Sequence, residues 1–388
     1  MIEISEKKKC SGCHACAAIC PMQCIAMQRD EEGFLYPQVD SEKCIRCGLC
    51  ESVCPVINPS VREDKDKVAY AAYAEDENLR MQSSSGGVFT LLAEIILAKG
   101  GVVFGAAMDE EQKCIHICAH TPAELERLRG SKYVQSVIGN TFQEAEKFLK
   151  QGRPVLFTGT PCQIAGLHRY LRKEYDNLFT QDIICHGVPS PLVWEKYVKF
   201  REMTAASKTR RTFFRHKKNG WKTFCVQFEF SNCTQYVQTL SEDLYMKAFL
   251  KDLCLRPSCY ACGTKGHARS SDITLADFWG VWNIAPEMDD DKGTSLVLIN
   301  SPKGKVLFEE IKQGIVFKEV EWEEAVKYNS AFSKSVVLPD KREAFMETVL
   351  QQGFAKTKII LDEPFLKRAL RKGYRIIKNI WLRNGETP

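Results

Sequence analysis

Two short runs of cysteines near the start of the chain have the residue type and the spacing that bind iron. The first run, CSGCHACAAICP, extends from Cys10 to Pro21, and the second, CIRCGLCESVCP, extends from Cys44 to Pro55. Both follow the pattern C-x2-C-x2-C-x3-C-P, in which three closely spaced thiolates bind one cube of iron and sulfide. A fourth thiolate must come from elsewhere in the chain. The sequence therefore predicts two 4Fe-4S clusters.

In bacterial ferredoxins with this pattern, the last cysteine of each run binds the cluster of the other run. This arrangement predicts a first cluster on Cys10, Cys13, Cys16 and Cys54 and a second cluster on Cys44, Cys47, Cys50 and Cys20. Zinc is the alternative metal, but it favours two C-x2-C pairs separated by a longer gap. Cys24, just past the first run, is interpreted as a small buried residue.

The elements that position these and later cysteines are readable from apolar periodicity. The segments KVAYAAYA, GVVFGAAMD, PVLFTG and FTQDIIC are typical of buried strands, and GGVFTLLAEIILAKG and QIAGLHRYLRKEY are typical of helices. We expect an α+β ferredoxin-like N-terminal domain, in which GFLYPQVD forms a strand and turn, followed by an α/β domain with a mixed, largely parallel sheet.

Further cysteines lie at the strand ends of this predicted sheet. Cys162 follows PVLFTG and Cys185 follows the next strand, so a right-handed βαβ unit would bring them to the same edge. Cys259 and Cys262 form a C-x2-C pair further on, five residues after Cys254. These residues make a third four-thiolate site plausible, with Cys254 as a spare ligand and zinc as an open alternative.

Two loops rich in small residues also follow predicted strands and lead into helices. They are SSSGGVFT, from Ser83 to Thr90, and FTGTPCQIAG, from Phe157 to Gly166. Free N–H groups at a helix start suit an anion such as a nucleotide pyrophosphate. Neither loop matches a known nucleotide motif, so an ordinary turn and helix cap is the better explanation of either loop taken alone.

Composition limits the class of protein. The chain has 388 residues, 18 cysteines and a net charge of +5. It begins MIEISEKKKC, without a secretory leader, and its longest apolar stretch is too short to cross a bilayer, so we expect a cytoplasmic protein that keeps its thiols reduced. The basic, aromatic segment KTRRTFFRHKKNGWK is interpreted as an exposed loop or a docking site for an acidic electron carrier rather than a nucleic-acid site.

Six motifs in a fixed order carry a family resemblance: SSSGGVFT, RGSKYVQS, GTPCQIAGL, IICHGVPSP, LCLRPSCYACG and SDITLADFWG. Over about residues 67 to 340 the chain resembles the beta subunit of coenzyme F(420)-reducing hydrogenase and its dehydrogenase relatives. The resemblance implies FAD and one more 4Fe-4S cluster, with Cys162, Cys185, Cys259 and Cys262 as its ligands. It also implies that flavin binds near Ser84, Ser85, Gly86, Gly87, Gly130, Ser131, Lys132, Thr158, Gly159 and Thr160.

The resemblance divides the chain into a ferredoxin domain at 1–60, a linker at 61–66, an FAD and 4Fe-4S domain at 67–345 and a basic helical tail at 346–388. It implies a flavoprotein oxidoreductase that exchanges electrons with a ferredoxin-like carrier or an oxidoreductase subunit. Its substrate would be coenzyme F(420) or another reducible small molecule. A relay subunit without a substrate is the alternative. No catalytic residue is assigned, since a structural hydrogen bond explains His186 better than proton delivery, and the tail allows at most peripheral membrane contact.

Overall fold

The computed structural model describes residues 1–59, 67–266 and 269–362. Its N-terminal part is a small α+β unit that consists of helix α1 Ala15–Ile19, strands β1 Ile25–Arg29 and β2 Leu35–Val39, and helix α2 Leu49–Ser52. The two strands pair in antiparallel fashion. His14 and Gly48 precede the helices with φ of 66° and 75°, a left-handed conformation that turns each cysteine run sharply into its helix.

The larger part begins at residue 67 and alternates strands with helices, as the apolar periodicity predicts. In chain order its elements are β3 Val68–Ala74, α3 Glu77–Gln82, α4 Val88–Ala98, β4 Val102–Met108, β5 Cys114–Ala119, α5 Pro122–Leu128, α6 Thr141–Lys150, β6 Val155–Thr158, α7 Pro161–Leu171, β7 Leu178–Ile183, α8 Pro191–Ala205, β8 Thr209–His216, β9 Cys225–Phe230, β10 Gln235–Thr239, α9 Leu244–Leu250, β11 Ile273–Asp277, α10 Val281–Ile284, β12 Ser295–Ile299, α11 Pro302–Ile311, β13 Ile315–Val320, α12 Trp322–Lys327, α13 Arg342–Glu347 and α14 Lys358–Leu361. Short 3-10 turns occupy Lys7–Lys9, Pro257–Ala261, Pro286–Met288, Lys312–Gly314, Ser330–Phe332 and Phe354–Thr357, and a π-helical turn occupies Thr348–Gln352.

The main sheet in the described part of the chain has eight strands in the order β13-β3-β12-β11-β7-β6-β4-β5. Its middle strands β11, β7, β6 and β4 are parallel, and the strands on both flanks are antiparallel. The prediction of a mixed, largely parallel sheet is confirmed. Helices α4, α5 and α11 cover one face with aliphatic side chains, and α6 and α7 cover part of the other.

A second, antiparallel sheet of β8, β9 and β10 packs against α8 and α9 through an aromatic core. The interpretation of the KTRRTFFRHKKNGWK segment as an exposed loop is wrong, because most of it forms β8 and the turn after it. Phe214, Arg215, Lys217 and Trp221 are all buried. Burial along β8 does not alternate, since the adjacent Phe214 and Arg215 are both buried and the pairing with β9 is irregular.

The N-terminal unit packs directly on the larger part. Cys13 lies against α7 so closely that a Cβ added to Gly166 would be 2.8 Å from the Cys13 Cβ. The guanidinium of Arg342 donates two hydrogen bonds, of 2.8 and 2.5 Å, to the Glu32 carboxylate after β1. These contacts fix the cysteine runs against the edge of the sheet where β6 and β7 end.

Two regions named in the sequence predictions extend outside the described residues. The linker at 61–66 and the basic segment at 366–385 both fall there. Within the described ranges, no helix has the length and hydropathy required to cross a bilayer.

Candidate functional site

The first predicted cluster has its cysteines gathered around α1. Burial raises the pKa of the Cys16 thiol to about 12, and the neighbouring thiols of Cys10 and Cys54 contribute to that rise. Cys13 is also buried, and its pKa is raised by burial and by Cys16 and Cys10. The fourth ligand predicted from the other run, Cys54, therefore lies beside the first run. Thiols crowded and buried in this way become stable thiolates only next to a compensating positive charge, which a metal cluster supplies.

The second predicted set lines one small cavity. Its walls include Cys20, Cys44, Cys47 and Cys50, and Cys47 is exposed to solvent. Cys24 lines the same cavity, with its Sγ 3.4 Å from the Sγ of Cys20. Cys24 is buried, as expected, but its closeness to the set was not anticipated. The only sign of this closeness in the sequence is the position of Cys24, four residues after Cys20.

The third predicted set assembles at the strand ends, from α7, the end of β7 and the turn Pro257–Ala261. Burial raises the pKa of the Cys185 thiol. The rise is increased by three neighbouring thiols, which in order of strength are those of Cys259, Cys162 and Cys262. The nearby charge of Lys265 opposes the rise. The Val188 N–H donates to the Cys259 Sγ over 3.4 Å. By contrast, Cys254 is fully buried in the aromatic core. The four thiols given by the resemblance are thus neighbours.

All eighteen cysteines are free. Among the described residues, no three His, Cys, Asp or Glu side chains are close enough to hold a single metal ion. The cysteine sets are instead defined by mutual electrostatic influence and by the walls that they share.

The three sets lie in series. Cys50, of the second set, acts electrostatically on Cys16 of the first. Cys162, of the third set, acts on Cys13 of the first, across the contact between Cys13 and α7. Cys185, of the third set, lines a large cavity. The second set therefore neighbours the first, the first neighbours the third, and the third borders the cavity.

The cavity measures about 580 Å³ and opens at the carboxyl ends of the central strands. Nine of the ten residues predicted for flavin line it: Ser84, Ser85, Gly87, Gly130, Ser131, Lys132, Thr158, Gly159 and Thr160. The Ser131 N–H donates to the Ser84 Oγ over 2.7 Å, which joins two of the three predicted segments. Helices α4 and α7 both begin at the cavity wall, and Thr160 caps α7 through a reciprocal pair of bonds with Gln163.

Gly86 does not line the cavity. Its N–H donates to the Ser295 Oγ over 2.9 Å, and a Cβ at this position would be 2.4 Å from the carbonyl oxygen of Ala72. Gly86 therefore lets the loop before α4 pack on strands β3 and β12. Its neighbours Ser85 and Gly87 reach the cavity because of this close approach.

Lys132 lines the cavity with its ammonium group already bonded. Its Nζ donates to the carbonyl oxygens of Arg127, Leu128 and Arg129, at 3.0, 2.8 and 3.0 Å, where α5 ends. Burial lowers the pKa of Lys132 from 10.5 to about 7. The Lys132 side chain thus anchors the loop that contains Gly130 and Ser131. This role comes in addition to the contact with flavin that the sequence predicted for it.

Sequence reasoning missed an ion pair in the cavity wall. Arg215, from β8, donates to the Asp277 Oδ1 over 3.0 Å, at the end of β11. The indole N–H of Trp221 donates to the same oxygen, and the Trp221 ring stacks on Trp279 with centroids 4.9 Å apart. Trp279 lines the cavity. No local spacing marks Arg215, because it meets Asp277 only through the tertiary fold.

His186 also lines the cavity, and its Nε2 is 2.5 Å from the Asp252 Oδ1. This contact agrees with the interpretation of His186 as a hydrogen-bonded structural residue.

The residues around the cavity suit a flavin dinucleotide. The start of α4, whose N-cap Gly87 receives no side-chain cap, offers backbone N–H donors for a pyrophosphate, and the buried Arg215 adds positive charge beside its partner Asp277. Phe224, Phe249 and Trp279 offer apolar and aromatic surface for a ring system. The donor chemistry of the three cysteine sets likewise suits iron-sulfur clusters, whose ligands are cysteine thiolates.

Comparison with known proteins gives matches to three family models. Residues 9–58 match the 4Fe-4S dicluster domain. Residues 69–141 match the N-terminal model, and residues 152–325 the C-terminal model, of the coenzyme F(420) hydrogenase/dehydrogenase beta subunit. No curated protein matches the chain.

One solved structure with a similar fold is the xenon-derivatized F(420)-reducing NiFe hydrogenase complex from Methanosarcina barkeri. It is 17% identical over 67% of this chain and 84% of that chain, with a TM-score of 0.46. The two beta subunit models together span well over half of the present chain, in the order that the six motifs predict. The chain therefore belongs to the coenzyme F(420) hydrogenase/dehydrogenase beta subunit family and carries an N-terminal iron-sulfur domain of the 4Fe-4S dicluster type.

Proposed function

We propose that this protein is an FAD-dependent oxidoreductase with three 4Fe-4S clusters. It exchanges electrons with a ferredoxin-like carrier or an oxidoreductase subunit, and exchanges hydride or electrons with a small reducible compound. The observation that carries the proposal is the serial order of the cysteine sets, from the exposed Cys47 to the cavity that Cys185 lines. A series of this kind provides a path for electrons between the surface and an interior site.

The proposal assigns the twelve predicted cysteines as ligands. The first cluster is held by Cys10, Cys13, Cys16 and Cys54, the second by Cys44, Cys47, Cys50 and Cys20, and the third by Cys162, Cys185, Cys259 and Cys262. The mutual influence of the thiols within each set supports the assignment. Cys24 and Cys254 are left out.

In the cavity, the chain's own groups bind and orient the flavin. The N–H groups at the start of α4 would hold its pyrophosphate, and Ser84 and Ser131, already joined by a hydrogen bond, fix the loops on either side. Phe249 and Trp279 exclude water from the ring. When bound, a flavin exchanges one electron or a hydride, whereas iron-sulfur clusters exchange single electrons.

The substrate class follows from the family, whose name supports coenzyme F(420) as one candidate and another reducible compound as the second. We further propose the division into domains at 1–60, 67–345 and 346–388. We place the protein in the cytoplasm, because labile clusters and eighteen free thiols suit a reducing compartment. Of the residues near the cavity, none is assigned as catalytic.

Anaerobic reconstitution with iron, sulfide and FAD tests the cofactor content. The expected result is about twelve irons, from three four-iron clusters, and one FAD per chain. About eight irons, or zinc in place of the third cluster, would contradict the three-cluster proposal. A chain that binds no FAD would contradict the flavoprotein proposal.

A second measurement separates the enzyme from a relay subunit. The reduced flavin is mixed with candidate small molecules, including coenzyme F(420), and with ferredoxins, and its reoxidation is followed by absorbance. Reoxidation by a small molecule supports an enzyme with its own substrate. Reoxidation by protein carriers alone supports the relay.

A further inference from the structure

Arg256 is a fully buried arginine at the junction between the N-terminal unit and the third cysteine set. It directly precedes the turn that carries Cys259, and its backbone carbonyl accepts a bond of 2.9 Å from the Cys259 N–H. Its side chain crosses into the N-terminal unit. There the Nε donates to the Cys10 carbonyl oxygen over 2.8 Å, and the Nη2 donates to the Leu35 carbonyl oxygen over 2.9 Å.

The guanidinium also meets a predicted cluster ligand. Its Nη2 is 3.6 Å from the Cys10 Sγ, within hydrogen-bond distance for sulfur. Gln135 accepts from the Nη1 over 2.9 Å, and the Tyr36 ring centroid is 4.3 Å from the guanidinium carbon. Gly12 has a φ of +69°, and a Cβ there would be 2.8 Å from the Nη1. The glycine of the first run thus leaves space for the guanidinium.

Within the part of the chain that the structure describes, the charge of Arg256 has no carboxylate partner. Other buried arginines form ion pairs, such as Arg269 with Asp182 at 3.0 Å and Arg215 with Asp277 at 3.0 Å. For Arg256, no Asp or Glu among the described residues lies within the 4.0 Å limit of an ion pair. Guanidinium groups stay protonated in proteins, and a buried charge without a counter-ion is costly.

The side chain of a predicted cluster ligand, Cys10, lies in contact with this charge. The positive charge reaches the third set as well, where it opposes the rise that burial causes in the pKa of Cys162 and Cys259. A cluster that binds through four thiolates carries net negative charge, and one-electron reduction adds to it. A fixed cation at hydrogen-bond distance stabilises that added charge.

We propose that Arg256 is the counter-ion of the first cluster and raises the reduction potential of that cluster. Arg256 acts as a positioning residue that joins the first set to the third. It favours the electron on the first cluster, which lies next to Cys162 of the third set. This inference rests on the first cluster of the proposed function, and on neither FAD nor the third cluster.

The test is a potentiometric titration of the whole reconstituted chain, followed by EPR. The signal of the first cluster is identified as the one lost in Cys54→Ser. In Arg256→Met, the ratio of reduced to oxidised first cluster at a fixed potential is expected to fall about tenfold, which is a shift of about 59 mV to lower potential. An unchanged midpoint would overturn the proposal.

Two variants separate charge from structure. Arg256→Lys keeps the charge and is expected to retain most of the wild-type potential; a shift as large as in Arg256→Met would mean that the charge is not the cause. Arg342→Met removes a half-buried guanidinium from the same interface, one that bonds to Glu32, Leu255 and Tyr260 rather than to a predicted ligand of the first cluster. It is expected to lower the unfolding temperature without moving the midpoint, and an equal shift here would also overturn the proposal.

A measurement on the wild-type sequence covers the case in which Arg256→Met loses the first cluster. The chain is labelled with guanidino-15N arginine, and the reduced first cluster is examined by pulsed EPR. A 15N coupling that disappears in Arg256→Lys supports the contact with Cys10, and its absence from the wild type overturns it. Iron content is measured in parallel. A wild-type chain without the first cluster contradicts both proposals, whereas an intact cluster with no coupling contradicts this one alone.

Discussion

Replacement of Gly86 by alanine tests whether the loop before α4 must lie directly on the sheet. The added Cβ would be 2.4 Å from the Ala72 carbonyl oxygen and 2.9 Å from the Ser295 nitrogen, whereas ordinary contact begins at 3.4 Å. Ala72 and Ser295 are paired in adjacent strands of the main sheet and cannot retreat. The loop must therefore move outward by about 1 Å, which also stretches the bond from the Gly86 N–H to the Ser295 Oγ.

The cost has two parts. Overpacking of a buried contact destabilises by roughly 1 to 3 kcal/mol, and a lost hydrogen bond adds about 1 kcal/mol. We therefore expect the free energy of unfolding to fall by about 2 to 4 kcal/mol in Gly86→Ala. Because Ser85 and Gly87 border the cavity, the same displacement is expected to weaken FAD binding at least about tenfold, since a shift of about 1 Å is large for positioned groups.

Urea denaturation and FAD titration measure the two effects, with Gly314→Ala as the matched control. A Cβ on Gly314 meets only Leu91, at 3.8 and 3.9 Å, and its φ lies outside the left-handed region. The control is expected to be neutral or to gain up to about 1 kcal/mol, because alanine restricts the unfolded chain. Wild-type stability together with wild-type FAD affinity in Gly86→Ala would refute the reasoning.

Three further predictions follow from the site. Cys162→Ser is expected to reduce the iron content from about twelve to about eight, whereas Cys254→Ser keeps it, because Cys254 is buried in the aromatic core; colorimetric iron analysis decides, and equal loss in both would contradict the assignment. Asp277→Asn is expected to lower the free energy of unfolding by about 3 kcal/mol, because it leaves the buried Arg215 without its counter-charge, and urea unfolding that matches the wild type would contradict this. The unfolded chain keeps the Lys132 proton up to about pH 10, whereas the folded chain releases it near pH 7. The free energy of unfolding is therefore expected to rise between these pH values, by up to about 1.4 kcal/mol per pH unit. A pH series of unfolding midpoints that has the same slope in Lys132→Met as in the wild type would contradict this expectation.

The cysteine ligands and the small-residue loops were predictable because their signals are local. A cluster requires fixed spacing within a few residues, and a loop that approaches a phosphate requires small residues at a strand end. For the same reason, the central strands and the helices between them follow directly from apolar periodicity. The contact between the last cysteine of one run and the first three of the other was predictable only from knowledge of the ferredoxin arrangement.

The rest of the site depends on contacts between distant parts of the chain. Arg215 and Asp277 belong to different sheets and no pattern joins them. The basic residues around β8 resemble a surface segment, although the fold buries Arg215 and Lys217 against carbonyl and carboxylate oxygens. The loop around Gly86 has the composition of a ligand-binding loop. Packing alone decides whether a glycine in it faces a ligand or a neighbouring strand.

The contact between Cys13 and Gly166 has a consequence for how the N-terminal unit moves. Some electron carriers are attached by a flexible tether and swing between two docking positions, and their turnover slows as the solvent becomes more viscous. Here the unit is held by the contact with α7, by the pair of Arg342 with Glu32 and by the 2.6 Å bond between Arg29 and Glu195. These contacts oppose a swinging motion of the unit. We therefore expect electron transfer inside this chain to depend on fixed separations and its rate to be insensitive to solvent viscosity.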